Sequence, residues 1–279
     1  MVAPVNRIID TSFVDGPGNR TAIFFQGCNY RCKYCHNPET IRMCTDCGEC
    51  VPNCPTGALS LRDGKVVWDE KLCCKCDTCL KSCPNLSSPR VTMMTVDQVM
   101  DRVKKNAPFI KGISTSGGEC TLRKGFLMEL FPRVHELGLT CLIDSNGSLD
   151  FSRNMDLLNV TDGVMLDVKS TDPEEYEDLI GGDGSGILDK AVFLASLGKL
   201  TEVRTVCSPD FLSEKTVDDV SRALAEYYRY GDIHYRIITY RQYGVRSPYR
   251  EQFRRSTPQQ MEELRQIAVN NGMKHVTVV

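Results

Sequence analysis

Short apolar runs recur along the chain, each closing on polar or glycine-rich residues, with stretches of helical period between them. TAIFFQG (21–27), GISTSGGE (112–119), LTCLIDSNG (139–147), DGVMLDVKS (162–170), TEVRTVCSP (201–209) and HYRIITYR (234–241) read as six strands. Thr95 is placed to cap a helix whose Val96, Val99, Met100 and Val103 share one face. A helix over residues 122–137 stops at Gly138, another after Ser213 aligns Val217, Val220, Leu224 and Tyr227, and a last one follows Thr257-Pro258. KHVTVV at the end of the sequence reads as a closing strand. Six strands alternating with helices predict a parallel sheet. The polar groups gather at the strands' C-terminal ends: Cys28, Gly117-Gly118-Glu119, Asp144 to Gly147, Asp167, Lys169 and Arg241. In β/α barrels that rim carries catalysis, so the predicted fold class is α/β, a partial (β/α)6 barrel.

The 15 cysteines change the picture. Cys28, Cys32 and Cys35 form C-x3-C-x2-C; Cys44, Cys47, Cys50 and Cys54 form C-x2-C-x2-C-x3-C, followed by Pro55. Cys73, Cys76, Cys79 and Cys83 repeat the second pattern, again with a proline, Pro84. Each four-cysteine run matches the bacterial ferredoxin pattern, in which the fourth cysteine crosses to the other [4Fe–4S] cube. The expected sets are Cys44, Cys47, Cys50 with Cys83, and Cys73, Cys76, Cys79 with Cys54. Zinc knuckles are the competing reading, but they use four of the eight thiols and give no reason for the matched spacing. Between the runs, LSLRDGKVVW alternates around Asp63-Gly64, a hairpin signal. The expected organisation is therefore a barrel over 1–42 and 86–279, with a small ferredoxin-like α+β domain inserted at 43–85.

The first group has no fourth cysteine at a matching distance. Three ligands on a cube leave one iron open for chemistry; a fourth thiolate from Cys74, Cys120, Cys141 or Cys207 would make a third closed electron-transfer cluster instead. Composition narrows the classes further. Hydrophobic residues are 41% and charged residues 25%, with net charge -2, so no electrostatic footprint for nucleic acid is expected. No apolar run approaches a membrane span or a secretory signal, and the expected location is cytoplasmic, without membrane or nucleic-acid partners.

VDGPGNRTAIFFQGCNYRCKYCHNPET (14–40) resembles the opening of the glycyl-radical-enzyme activating enzymes, a branch of the radical SAM superfamily. Ser116 to Glu119, DSNG at 144–147 and VMLDVK at 164–169 extend the resemblance, and the insert directly after the cysteine loop is most like the YjjW-type activases. The resemblance implies three [4Fe–4S] clusters, S-adenosylmethionine bound to the open iron through its amino and carboxylate groups, a glycyl radical enzyme as protein substrate, and flavodoxin or ferredoxin as electron donor. It also implies roles for single residues. Cys28, Cys32 and Cys35 hold the catalytic cluster, and Tyr34, His36 and Asn37 match adenine-contacting positions. The glycines of Ser116-Gly117-Gly118-Glu119 let the backbone approach the methionyl ammonium, whose charge Glu119 offsets. Asp144, Ser145, Met165 and Asp167 match positions that hold a monovalent cation, which repulsion between the two carboxylates makes sensible. Lys169 and Arg204 pair with the carboxylate or ribose, or else are structural rim charges. The sequence departs from the branch at Tyr240-Arg241-Gln242-Tyr243-Gly244, where several activases have a histidine. Two rivals are a peptide-modifying maturase, whose extra clusters usually lie towards the C-terminus, and a plain multi-cluster electron carrier, which needs no nucleoside pocket.

Overall fold

The computed structural model describes residues 1–279. Eleven strands form: β1 (Val2–Ser12), β2 (Arg20–Phe25), β3 (Leu59–Arg62), β4 (Lys65–Trp68), β5 (Thr92–Thr95), β6 (Gly112–Gly117), β7 (Thr140–Ser145), β8 (Gly163–Asp167), β9 (Leu200–Cys207), β10 (His234–Thr239) and β11 (His275–Val278). Nine belong to one sheet in the order β11-β10-β9-β8-β7-β6-β2-β1-β5. From β2 to β11 every neighbouring pair is parallel. All six residues of β2 are buried, as befits a central strand covered on both faces. The six predicted barrel strands are all present, and β11 extends them. β1 and β5 were not foreseen. They extend the sheet antiparallel beyond β2, with β5 at the edge, and the mixed polarity of β1 (Asn6, Arg7 and Asp10) hides the period that a half-covered strand would show.

The helices are α1 (Thr78–Lys81), α2 (Val96–Asn106), α3 (Lys124–His135), α4 (Met155–Asn159), α5 (Pro173–Ile180), α6 (Ile187–Ser196), α7 (Ser213–Leu224), α8 (Ser247–Arg250) and α9 (Pro258–Asn270). Thr95 and Gln98 close a reciprocal capping box on α2, and Val96, Val99, Met100 and Val103 are its buried face. Thr257 and Gln260 do the same for α9. These helices cover the sheet over one continuous apolar core, which includes Ile23, Ile113, Ile143, Val164 and Val203.

Register sets the working end. Phe25 pairs with Gly117, so the chain leaves β2 and β6 side by side. Asp144 lies opposite Met165, and Asp167 opposite Arg204. At the other end, Arg20 is 2% exposed and has no carboxylate partner. Its guanidinium donates to the carbonyls of Ile113 (2.8 Å) and Thr140 (3.0 Å) and to the Ser114 and Thr140 hydroxyls (2.9 Å each). Burial lowers its pKa to about 10, and these acceptors are what make the buried charge tolerable. The same residue holds the Asp15–Gly18 turn in place through Pro17 O (3.3 Å).

Residues 43–86 are built differently. β3 and β4 form a separate two-stranded hairpin, turning on Asp63 and Gly64 with φ of +48° and +72°. Only Cys50, Ala58 and Leu59 in this stretch are buried. Three buried side chains are far too few to fold a segment of this length by hydrophobic burial.

Candidate active site and cysteine centres

The Cys28–Cys35 loop leaves β2 and is tied down by main-chain bonds. Gly27 N donates to Thr40 O (2.8 Å) and Cys28 N to Ile41 O (2.9 Å); Arg31 N and Lys33 N reach the last carbonyls of α5. Arg246 donates to the carbonyls of Arg31 (3.1 Å) and Cys32 (3.3 Å). Tyr30 N points at Cys28 Sγ (3.4 Å), and burial pushes the Cys28 thiol up to about 11. A cationic partner such as a metal centre reverses that penalty by favouring the thiolate. The side chain of Tyr34 is buried, its ring packed against Phe211 with centroids 5.2 Å apart. That packing makes the ring part of the core beneath the loop. Asn37 O caps the turn that follows, accepting from Thr40 Oγ1 (2.8 Å), and His36 Nε2 meets Arg241 O (3.1 Å).

Gly117 and Gly118 are explained by this loop. A Cβ at Gly117 would lie 2.2 Å from Phe25 O, and one at Gly118 would lie 2.1 Å from Gly27 O. Two main chains cross here at a distance no side chain allows, and Gly118 N and Glu119 N bond to Phe25 O (3.0 Å) and Gly27 O (2.8 Å). The glycines therefore serve the junction of β2 and β6, a reason the sequence did not disclose. Glu119 is also committed. Its carboxylate, 1% exposed, accepts from Thr121 Oγ1 (2.6 Å), Thr121 N (3.1 Å), Ser145 Oγ (3.2 Å) and Asn146 N (2.7 Å). Burial pushes its carboxyl above the usual range, and these donors work against the shift. Glu119 thus clasps the exits of β6 and β7, in contrast with a free counter-charge at the rim.

The rim carboxylates carry their own cations. Asp144 accepts from Arg204 (3.0 Å) and Ser116 Oγ (2.9 Å), and Asp167 from Lys169 (2.8 Å). Arg204 also bonds Glu202 and reaches Met165 Sδ (3.2 Å). Desolvation would lower the pKa values of Arg204 and Lys169, but their carboxylate partners hold both above the usual range. The repulsion that made a bound monovalent cation sensible is thus already offset by side chains. The departure at 240–244 has a simple outcome: the Arg241 side chain is exposed, and only its carbonyl faces the site. Asn146 and Arg246 both contact the cysteine loop; the sequence placed Asn146 at the rim within DSNG but gave it no role of its own, and nothing in the sequence marks Arg246.

The other cysteines divide cleanly. Cys44, Cys47, Cys50 and Cys83 line one hollow, and Cys54, Cys73, Cys76 and Cys79 line another, with Cys74 beside them. Asp46 N points at Cys44 Sγ (3.4 Å). At Cys54 desolvation is the largest single effect and pushes the thiol up, but the Thr56 hydroxyl and the amides of Thr56, Ala58 and Leu59 together outweigh it and hold the thiol below its usual range. Cys120, Cys141 and Cys207 are fully buried, their thiols turned to the carbonyls of Asp144 (3.4 Å), Phe131 (3.8 Å) and Thr205 (3.9 Å).

Comparison with known proteins agrees with this arrangement. The model of the radical SAM superfamily matches residues 22–189, more than half of the chain. The indoleacetate decarboxylase activating enzyme of Tractidigestivibacter scatoligenes is 31% identical over 76% of this chain and 76% of that protein. A glycyl-radical enzyme activating relative from Haemophilus influenzae is 32% identical over 60% of this chain and 47% of its own length, so this match spans about half of that protein. Among solved structures, a domain of pyruvate-formate lyase-activating enzyme from Bacteroides vulgatus superposes with a TM-score of 0.51 at 17% identity, covering 60% of this chain and 98% of that one, a likeness of fold. With its α/β sheet and its cysteine loop at the strands' C-terminal ends, the chain belongs to the radical SAM superfamily, among the glycyl-radical-enzyme activating enzymes.

Proposed function

We propose that the chain removes a hydrogen atom from the α-carbon of a glycine in a separate glycyl radical enzyme, using S-adenosylmethionine and a [4Fe–4S] cluster held by Cys28, Cys32 and Cys35. When bound, these groups supply the one-electron chemistry that yields methionine and a 5′-deoxyadenosyl radical. The carrying observation is the fate of the thiols: three share the rim loop, and Cys74, Cys120, Cys141 and Cys207 all sit elsewhere. The protein's own work is positional. Main-chain bonds fix the loop, and Arg246 holds its carbonyls. Arg204 and Lys169 bring cationic donors to the rim for the methionine carboxylate or the ribose, and Ser116, Asp144 and Asp167 set their directions. His36 and Asn37 hold the turn beside the adenine position, with the Tyr34 ring supporting it from below.

Two further [4Fe–4S] clusters are the second part of the reading, one at Cys44, Cys47, Cys50 and Cys83, the other at Cys73, Cys76, Cys79 and Cys54. Support comes from the two hollows, which sort the eight thiols in the crossed sets of the ferredoxin pattern, and from a segment with almost no core of its own. Residues 43–85 form this inserted unit, and its clusters relay electrons from a flavodoxin or ferredoxin. The test is anaerobic: the reconstituted protein with a deuterated candidate partner should cleave S-adenosylmethionine and carry deuterium from the partner's glycine α-carbon into 5′-deoxyadenosine. Cleavage without such transfer to any glycyl radical enzyme would contradict the assignment of substrate.

A further inference from the structure

We propose that Asn146 is a positioning residue for the Cys28 thiolate, its side-chain amide directing an N–H at the sulfur and thereby raising the potential at which the cluster accepts its electron. This rests on the reading that Cys28 ligates a cluster. Asn146 Nδ2 lies 3.6 Å from Cys28 Sγ and 3.1 Å from Asn29 Oδ1, and the residue is 7% exposed. Its orientation is fixed two ways. Asn146 N donates to Glu119 Oε2 (2.7 Å), and Asn146 Oδ1 accepts from Ser148 N (2.9 Å). A main-chain N–H needs an acceptor, so the oxygen faces Ser148 and the NH2 group faces the cysteine loop. One N–H then serves Asn29 and the other the sulfur.

Charge decides the direction of the effect. Reduction adds an electron to a centre whose ligands are thiolates, so a donor at sulfur stabilises the reduced state more than the oxidised one. The Tyr30 N–H at the same sulfur comes from within the loop; the Asn146 donor comes from the exit of β7, through a clasp that Glu119 extends to β6.

The test uses the full chain, reconstituted anaerobically, with midpoint potentials read by electron paramagnetic resonance. Asn146→Asp keeps an oxygen for Ser148 N but removes the N–H donor; Asn146→Ala removes both. Each should lower the midpoint of the S-adenosylmethionine-responsive signal, by about 59 mV for a tenfold fall in the reduced-to-oxidised ratio of a one-electron couple. The remaining cluster signals should stay in place. An unchanged midpoint in either variant that assembles overturns the proposal, and so does failure of both to bind iron at this site. A wild-type protein with no S-adenosylmethionine-responsive signal would instead overturn the cluster reading itself.

Discussion

His36 Nε2 and the main-chain carbonyl of Arg241 lie 3.1 Å apart. A carbonyl only accepts, so Nε2 carries the hydrogen and the ring is a donor there. Gly244 completes the contact: at φ +83°, a Cβ on it would meet His36 O at 2.3 Å. The segment that departs from the family pattern is therefore joined to the cysteine loop by its backbone, whatever side chain stands at position 241.

Arg241→Ala should accordingly leave stability within about 0.5 kcal/mol of the parent, the range of exposed substitutions, and leave S-adenosylmethionine cleavage close to the parent rate. Gly244→Ala should cost about 1–3 kcal/mol in backbone strain and reduce iron retained at the first site. Thermal denaturation and iron content of both variants, measured side by side, check the contrast. Equal losses would mean the Arg241 side chain does more than its exposure indicates.

Removing the Glu119 carboxylate should strip acceptors from two buried main-chain amides, Thr121 N and Asn146 N. Glu119→Ala should cost about 1–3 kcal/mol for each orphaned donor, seen as a lower Tm. Glu119→Gln keeps one oxygen and should fall between Ala and parent. A Tm for Glu119→Ala equal to the parent's would remove the clasp from the account.

Arg204→Leu should destabilise the fold by about 3–5 kcal/mol, because the largely buried Asp144 loses its cation and Glu202 keeps only Arg236, at 3.5 Å. Burial already raises the Asp144 carboxyl, and Arg204 opposes that rise. Without the guanidinium, the folded-state pKa climbs further above the unfolded value, so the ionised form is penalised only in the fold. The variant's stability relative to the parent should therefore improve as pH falls from neutrality through that raised pKa. Denaturant melts across pH check the sign.

Cys47→Ala should slow S-adenosylmethionine cleavage driven by flavodoxin or ferredoxin more than cleavage driven by dithionite, while Cys32→Ala should abolish both. Cleavage assays with the two reductants check this. Equal loss with either donor in Cys47→Ala would count against a relay.

Much of this was legible in the sequence, for identifiable reasons. The parallel strands announced themselves because each is a short apolar run with a polar exit, and β2 is buried throughout. The Asp63-Gly64 turn and the Thr95 cap depend on local chemistry alone, and both form. Cysteine spacing anticipated the crossed grouping of eight thiols in two hollows. Partners chosen in three dimensions stayed hidden. Nothing in the order of residues says that Glu119 is saturated by Thr121, Ser145 and Asn146, that Arg204 neutralises Asp144, or that the glycines at 117 and 118 answer to the backbone of β2's exit. The β1 strand escaped because only part of it faces the core, and β5 because four residues carry too little pattern.

The most direct measurement is iron analysis with electron paramagnetic resonance on the anaerobically reconstituted, reduced protein, before and after adding S-adenosylmethionine. Three cubes predict about 12 irons per chain, with one signal of the set displaced by the nucleoside and lost in Cys32→Ala. A full complement of iron whose spectrum does not respond to S-adenosylmethionine would contradict an open coordination position at the Cys28–Cys35 loop.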